Sequence, residues 1–154
     1  MVNGLAWRLM PGDAEIEDLV QDTFIQALDG LHRLSEPAAF GSWLGSIVVR
    51  TANKRLRRKR LMTRLGLARN EPIDLETLVS SSAPPDVALE LRAIYQIVDG
   101  LPVEARIALL LRRVEGLPLG EIAERMGLSL ATVKRRLETA ESTLKERLVQ
   151  GGTS

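Results

Sequence analysis

Cysteine is missing from the sequence, and histidine occurs once, as His32. Disulfides, thiolate metal sites and a histidine-based metal cluster are thereby excluded, and a reducing cytoplasm is permitted. Aromatic residues make up only 3% of the chain. No stretch alternates strictly between apolar and polar residues, as a half-buried strand would. The longest apolar runs fall far short of the roughly 20 residues that a membrane-spanning helix needs. No basic stretch leading into an apolar core opens the sequence, so neither a signal peptide nor membrane insertion is expected. A Gly-rich phosphate loop is lacking, as is any grouping of carboxylates with His or Cys. With no such constellation, catalysis, a cofactor and a small-molecule substrate are all unexpected.

What the sequence does hold is Leu, Ala, Arg and Glu, unbranched or small side chains that lose little rotamer freedom in a helix. The expected fold is all-α. A length of 154 residues suits one domain or two small ones. Gly66, Asn70, Pro72, Ser80-Ser81-Ser82 and Pro84-Pro85 mark 66–86 as a flexible linker. The division expected is a helical domain over 1–65 and a second over 87–150.

The net charge of +1 conceals a strong segregation. Residues 50–69 contain nine Arg or Lys and no acid, whereas 71–105 contain seven acids against one base. Residues 106–154 return to nine bases and six acids. Such blocks imply different partners for different stretches.

Periodicity places the helices. Ile16, Val20, Phe24, Ala27 and Leu31 recur at the spacing of one helix face, with Asp13 as N-cap and Gly30 as stop. Leu5 to Met10 read as the stub of an earlier helix. A further helix starts near Ala39, with Phe40, Trp43, Leu44, Ile47 and Val48 as its apolar stripe. Past Val49 it turns cationic. Asp86 caps a helix running to Val98, with Val87, Leu91, Ile94, Tyr95 and Val98 inward and Gly100 ending it. Pro102 opens the next, which carries Ile107, Leu110 and Leu111 and ends at Gly116.

Residues 119–137 carry the most specific signal. A helix-turn-helix needs a small residue where its helices cross and one that tolerates positive φ in the turn; Ala123 and Gly127 stand four apart. Ile122, Met126, Leu128, Val133 and Leu137 fill the shared core. Ser129 caps the second helix, so Thr132, Lys134, Arg135 and Arg136 fall early on it, where DNA-reading helices present side chains to bases and phosphates. A helical hairpin using the same Ala and Gly only to pack is the plain alternative.

Two further stretches suggest binding. Six of the seven residues from Lys54 to Arg60 are cationic, fit to neutralise phosphates. A membrane-surface patch would need an apolar face opposite the charges, and none is sustained. Asp18, Asp22, Gln26 and Asp29 line one stripe opposite Val20 and Phe24, suited to docking on a basic protein surface or simply to solvent.

Together these pieces resemble the extracytoplasmic-function (ECF) sigma factors of bacterial RNA polymerase. Asp18 to Leu28 is similar to that family's polymerase-binding helix. Phe40-Gly41-Ser42-Trp43-Leu44, Ile47 and the Arg-rich end resemble its FxxWLxxIA…RR helix. Leu101-Pro102 through Arg106, then Val114 to Ala123, resemble the opening of its C-terminal DNA-binding domain. The resemblance implies a cytoplasmic transcription initiation factor of two helical domains. Core RNA polymerase would be held by Asp18, Gln21, Asp22, Gln26 and Asp29. The promoter's minus-ten element would meet His32, Arg33, Ser35, Arg50, Asn53, Lys54, Arg57 and Arg58. The minus-thirty-five element would meet Ser129, Thr132, Lys134, Arg135 and Arg136. An anti-sigma factor that clamps the two domains is implied as a further partner. Departures exist: Arg50 stands where the family often has Asn, and Thr139 and Glu141 where it often has Arg. A stand-alone helix-turn-helix regulator is the rival reading, and it has no need of Asp18 and Asp22.

Overall fold

The computed structural model describes residues 1–69 and 82–152, and every regular element among them is helical. Three helices come first: α1 (Val2–Leu9), α2 (Ile16–Gly30) and α3 (Phe40–Arg64), with single 3-10 turns at Leu31–Arg33 and Pro37–Ala39. Four follow: α4 (Pro85–Asp99), α5 (Val103–Arg113), α6 (Leu119–Met126) and α7 (Leu130–Gly151). Among the described residues, no helix is long and apolar enough to cross a membrane. Most of the expected linker lies outside the described residues.

The 25-residue α3 is the spine. It packs on α1 and α2 and also on α5 and α6, while α7 packs on α4, α5 and α6. One apolar cluster runs through both sets of helices. Leu5, Leu9, Leu19 and Val48 feed it from the first, and Ile107, Leu111, Ile122 and Val133 from the second. The two helical units are therefore pressed together over a shared core. Burial on this scale stabilises by about 25 cal/mol per Å² of apolar surface removed from water. A smaller cluster of Leu101, Ala105, Leu109 and Ala140 fastens α5 to α7.

Several inward faces differ from those read off the periodicity. On α2 the buried row is Leu19, Thr23 and Ala27, with Ile16 and Val20 beside it. Phe24 and Leu31 point to solvent instead. The row can be polar at its centre because the buried Thr23 hydroxyl is paired, donating to the Leu19 carbonyl at 2.8 Å. On α4 the buried residue is Ile97, while Val87 and Leu91 are exposed. Both helices hold more apolar residues than one face accommodates, so periodicity alone leaves the rotation open.

Two caps also move. Asp13 accepts the backbone N–H of Glu15 at 2.8 Å and orders the turn before α2, and Glu15 takes the N-cap position. Pro84 precedes α4, and Asp86 sits in its first turn, where the helix dipole favours an acid. The stub at Leu5 to Met10 is part of a complete helix that buries Val2, Leu5, Ala6 and Leu9. On α3, Leu44 and Val48 are buried, Phe40 is exposed, and Trp43 lies half-buried with its ring centroid 5.9 Å from that of Phe40.

Candidate nucleic-acid interface

The second set of helices ends in a tight bihelical corner. Gly127 turns the chain with φ of 65°, a left-handed conformation that costs other residues about 1–2 kcal/mol. The N–H groups of Gly127 and Leu128 return to the carbonyls of Glu124 and Ala123, at 3.2 and 3.0 Å, closing the end of α6. Ala123 is buried, and Ile122, Met126, Val133 and Leu137 complete the crossing. Ser129 then caps α7 by accepting the Thr132 N–H at 3.2 Å. This is the geometry expected from the turn and cap chemistry.

The cap sets the phase of α7. Val133 and Leu137 point inward, so Lys134 and Arg135 face solvent in the first two turns. Arg135 leans back on the Thr132 hydroxyl at 3.2 Å. Lys134 has no partner among the described residues. Arg136 is half-buried, and its Nε donates to Glu104 at 2.8 Å. Of the expected set, Thr132, Lys134 and Arg135 thus form an open cationic start to a helix, while Arg136 turns toward α5.

The cationic half of α3 makes a second surface. Arg50, Lys54, Arg57 and Arg58 are exposed, and Asn53 is half-buried. Lys54 and Arg58 are unpaired among the described residues. With Gln26 and Arg50 they line an open groove of about 630 Å³ between α2 and α3. His32, Arg33 and Ser35 are exposed in the turns before α3. Arg50 lies ten residues beyond Phe40, about 15 Å along the helix axis. The loop set and the helix set are therefore separate patches on one rod.

The acidic stripe of α2 divides. Asp18, Gln21 and Asp29 are exposed. Asp22 is ion-paired to Arg55 of α3, and Gln26 donates to the Thr51 hydroxyl at 3.1 Å. Asp22 and Gln26 thus fasten α2 to α3 while Gln26 and about half of the Asp22 side chain stay exposed. What stands between Asp18 and Asp29 is apolar: Phe24, Ile25 and Leu28 are 49%, 58% and 74% exposed. With Gln21 they follow the i, i+3, i+4, i+7 spacing of one helix face. Periodicity alone places Phe24 in the core, whereas the structure exposes it. The signal that it stands outside is the surplus of apolar residues on α2.

One residue whose role sequence reasoning passed over is Arg106. It is buried, with Nη1 donating to Asp99 at 3.0 Å and Nη2 to the carbonyl of Leu9, at the end of α1, also at 3.0 Å. Burial lowers its pKa from the ordinary value, opposed by the charge of Asp99. It is an ion-paired post between the two units.

Known proteins share this arrangement. Residues 1–61 match the family described as Sigma-70 region 2, and residues 91–144 match Sigma-70, region 4. The ECF RNA polymerase sigma-E factor of Escherichia coli K12 is 30% identical over 162 residues, covering 96% of this chain and 80% of that protein. The chain belongs to the ECF sigma factors. This sigma factor is also 34% identical over 152 residues to the probable RNA polymerase sigma factor RfaY of Xanthomonas campestris, and 29% identical over 155 residues to SigE of Mycolicibacterium smegmatis. It covers 38% and 56% of those two proteins and is itself covered to 97% and 95%. Its fold is similar to that of the sigma factor RpoE in complex with the anti-sigma factor NepR from Bartonella quintana, with a TM-score of 0.69 and 22% identity over 96% of this chain and 89% of that one. CnrH, solved in complex with the cytosolic domain of CnrY, gives a TM-score of 0.61 at 22% identity, over 97% of this chain and 80% of that one. In the sigma factor described here, the region 2 match covers α1, α2 and most of α3, and the region 4 match covers α5, α6 and most of α7.

Proposed function

We propose that this ECF sigma factor binds core RNA polymerase and directs it to specific promoters. The observation that carries the reading is the capped start of α7, where Lys134 and Arg135 stand in solvent on the second helix of a closed helix-turn-helix. A helix so presented enters the major groove with its first residues toward the bases. Here it would read the minus-thirty-five element through Thr132, Lys134 and Arg135, with Ser129 setting its position.

The groove beside Lys54 and Arg58 is the proposed seat of the minus-ten strand. Its cations answer the phosphates, and Asn53 offers an amide for base edges. His32, Arg33 and Ser35 extend this contact from the end of α3. For polymerase, the proposed surface is the apolar ridge of Phe24, Ile25 and Leu28, edged by Asp18, Gln21 and Asp29. An apolar centre with a charged rim is the anatomy of a protein-binding patch. An anti-sigma factor is the further partner proposed, since one of the similar folds was solved with one.

Transcription by core polymerase with the purified chain tests the proposal, with a promoter library as template. Discrete start sites that need the chain are expected. DNA binding by the chain with no association to core polymerase would reject it in favour of a stand-alone regulator.

A further inference from the structure

The surfaces assigned to promoter DNA are partly occupied by the chain itself. Glu104, at the start of α5, divides its carboxylate. Oε1 accepts from Arg57 of α3 at 3.4 Å, and Oε2 accepts from Arg136 of α7 at 2.8 Å. Only 16% of the Glu104 side chain is exposed. One acid thus neutralises a cation from each DNA-reading surface at once.

Its neighbours reinforce the closure. Arg50 of α3 donates to the Glu124 carbonyl at 3.3 Å, and Arg60 donates to the Asp99 carbonyl at 2.6 Å. Beside them Gly45 lies so close to Arg125 of α6 that an added Cβ would stand 2.5 Å from its Nη1.

Distance makes the consequence definite. Two guanidiniums on one carboxylate are separated by no more than about 10 Å. Elements centred at minus ten and minus thirty-five lie ~25 base pairs apart, or ~85 Å at ~3.4 Å per step. The chain in this form cannot touch both. The 20 residues between Arg64 and Pro85 can span at most ~70 Å when extended, enough to let the units part.

We propose that Glu104 is a built-in latch that holds the isolated chain closed, with its two DNA-reading surfaces turned on each other, until a partner separates them. This rests on the promoter-binding reading above. It adds that the inhibition is carried in cis, with no anti-sigma factor present.

The absence of cysteine makes the test clean. Glu17→Cys on α2 and Lys145→Cys on α7, both exposed, carry a donor and an acceptor dye in the full chain. Energy transfer reports closure, and fluorescence anisotropy with a labelled random-sequence duplex reports DNA binding. Glu104→Gln keeps the shape and removes the charge. It is expected to lower the transfer efficiency and to tighten duplex binding about 3- to 10-fold, the yield of two partly exposed ion pairs. Glu146→Gln on α7 makes the same change in net charge away from the latch and is expected to move neither readout.

Unchanged transfer and affinity in Glu104→Gln overturn the latch. So does an equal gain of affinity in Glu146→Gln, which would make the effect one of bulk charge. A wild-type chain that stays closed by energy transfer but never associates with core polymerase would sink the promoter reading and leave the latch standing.

Discussion

Lys134 and Arg135 would bear the proposed DNA contact as individual charges, and their effects are separable from folding because both are exposed. Lys134→Ala is expected to weaken duplex binding and to reduce the slope of log affinity against log salt by about one unit. A titration at several salt concentrations measures it, and an unchanged slope would take Lys134 out of the interface. Ser129 acts differently, since its oxygen satisfies the Thr132 N–H at 3.2 Å. Ser129→Ala is expected to cost about 0.5–2 kcal/mol, read as a lower midpoint in a denaturant melt. These residues were legible in the sequence because caps and left-handed turns are chosen by residues within a few positions. Glu104, Arg106 and Asp22 were not. Their roles come from partners 32 and 97 residues away in the first two cases and from Arg55 of the next helix in the third, and no local pattern encodes such pairs.

At the level of the helix, α2 shows how an amphipathic pattern can be misassigned. Its buried row of Leu19, Thr23 and Ala27 is less apolar than the ridge of Phe24, Ile25 and Leu28 that faces solvent. A helix that leaves its largest apolar residues outside gives up burial worth about 1.5–3 kcal/mol each, an exposure for which the proposed polymerase surface would account. Leu28→Asp is accordingly expected to abolish association with core polymerase while leaving stability within about 0.5 kcal/mol, as for other surface changes. Co-sedimentation with the enzyme, paired with a thermal melt, separates these outcomes; retained association refutes the ridge. The acidic rim divides in the same way. Asp18→Lys is expected to weaken the association alone, whereas Asp22→Lys breaks the pair with Arg55 and is expected to lower the melting temperature too. By contrast, α6 and the start of α7 could be read almost residue by residue, because turn, cap and small-residue crossing agree on a single phase.

Across the whole molecule, the shared core makes a statement about cooperativity that the sequence could not make. The linker composition and the reversal of charge both spoke for two independent bodies. Independence would give two melting transitions. A single apolar cluster that takes Leu9, Val48 and Val49 from one unit and Ile107, Ile122 and Met126 from the other predicts one. The chain supplies its own probes, since Trp7 and Trp43 are its two tryptophans and both lie in the first unit. Met126→Ala, made in α6 of the second unit, removes a side chain that is only 6% exposed. Such truncations cost about 2–5 kcal/mol, and each kcal/mol is worth ~2–4 °C in a chain of this size. If the units melt together, tryptophan fluorescence must move down by the same interval as far-ultraviolet circular dichroism, although neither tryptophan is on the mutated helix. Were the tryptophan transition to stay in place while part of the dichroism moved, the units would be melting apart. The shared core would then contribute little to closure, and the proposed DNA-reading surfaces would be held together by the Glu104 ion pairs.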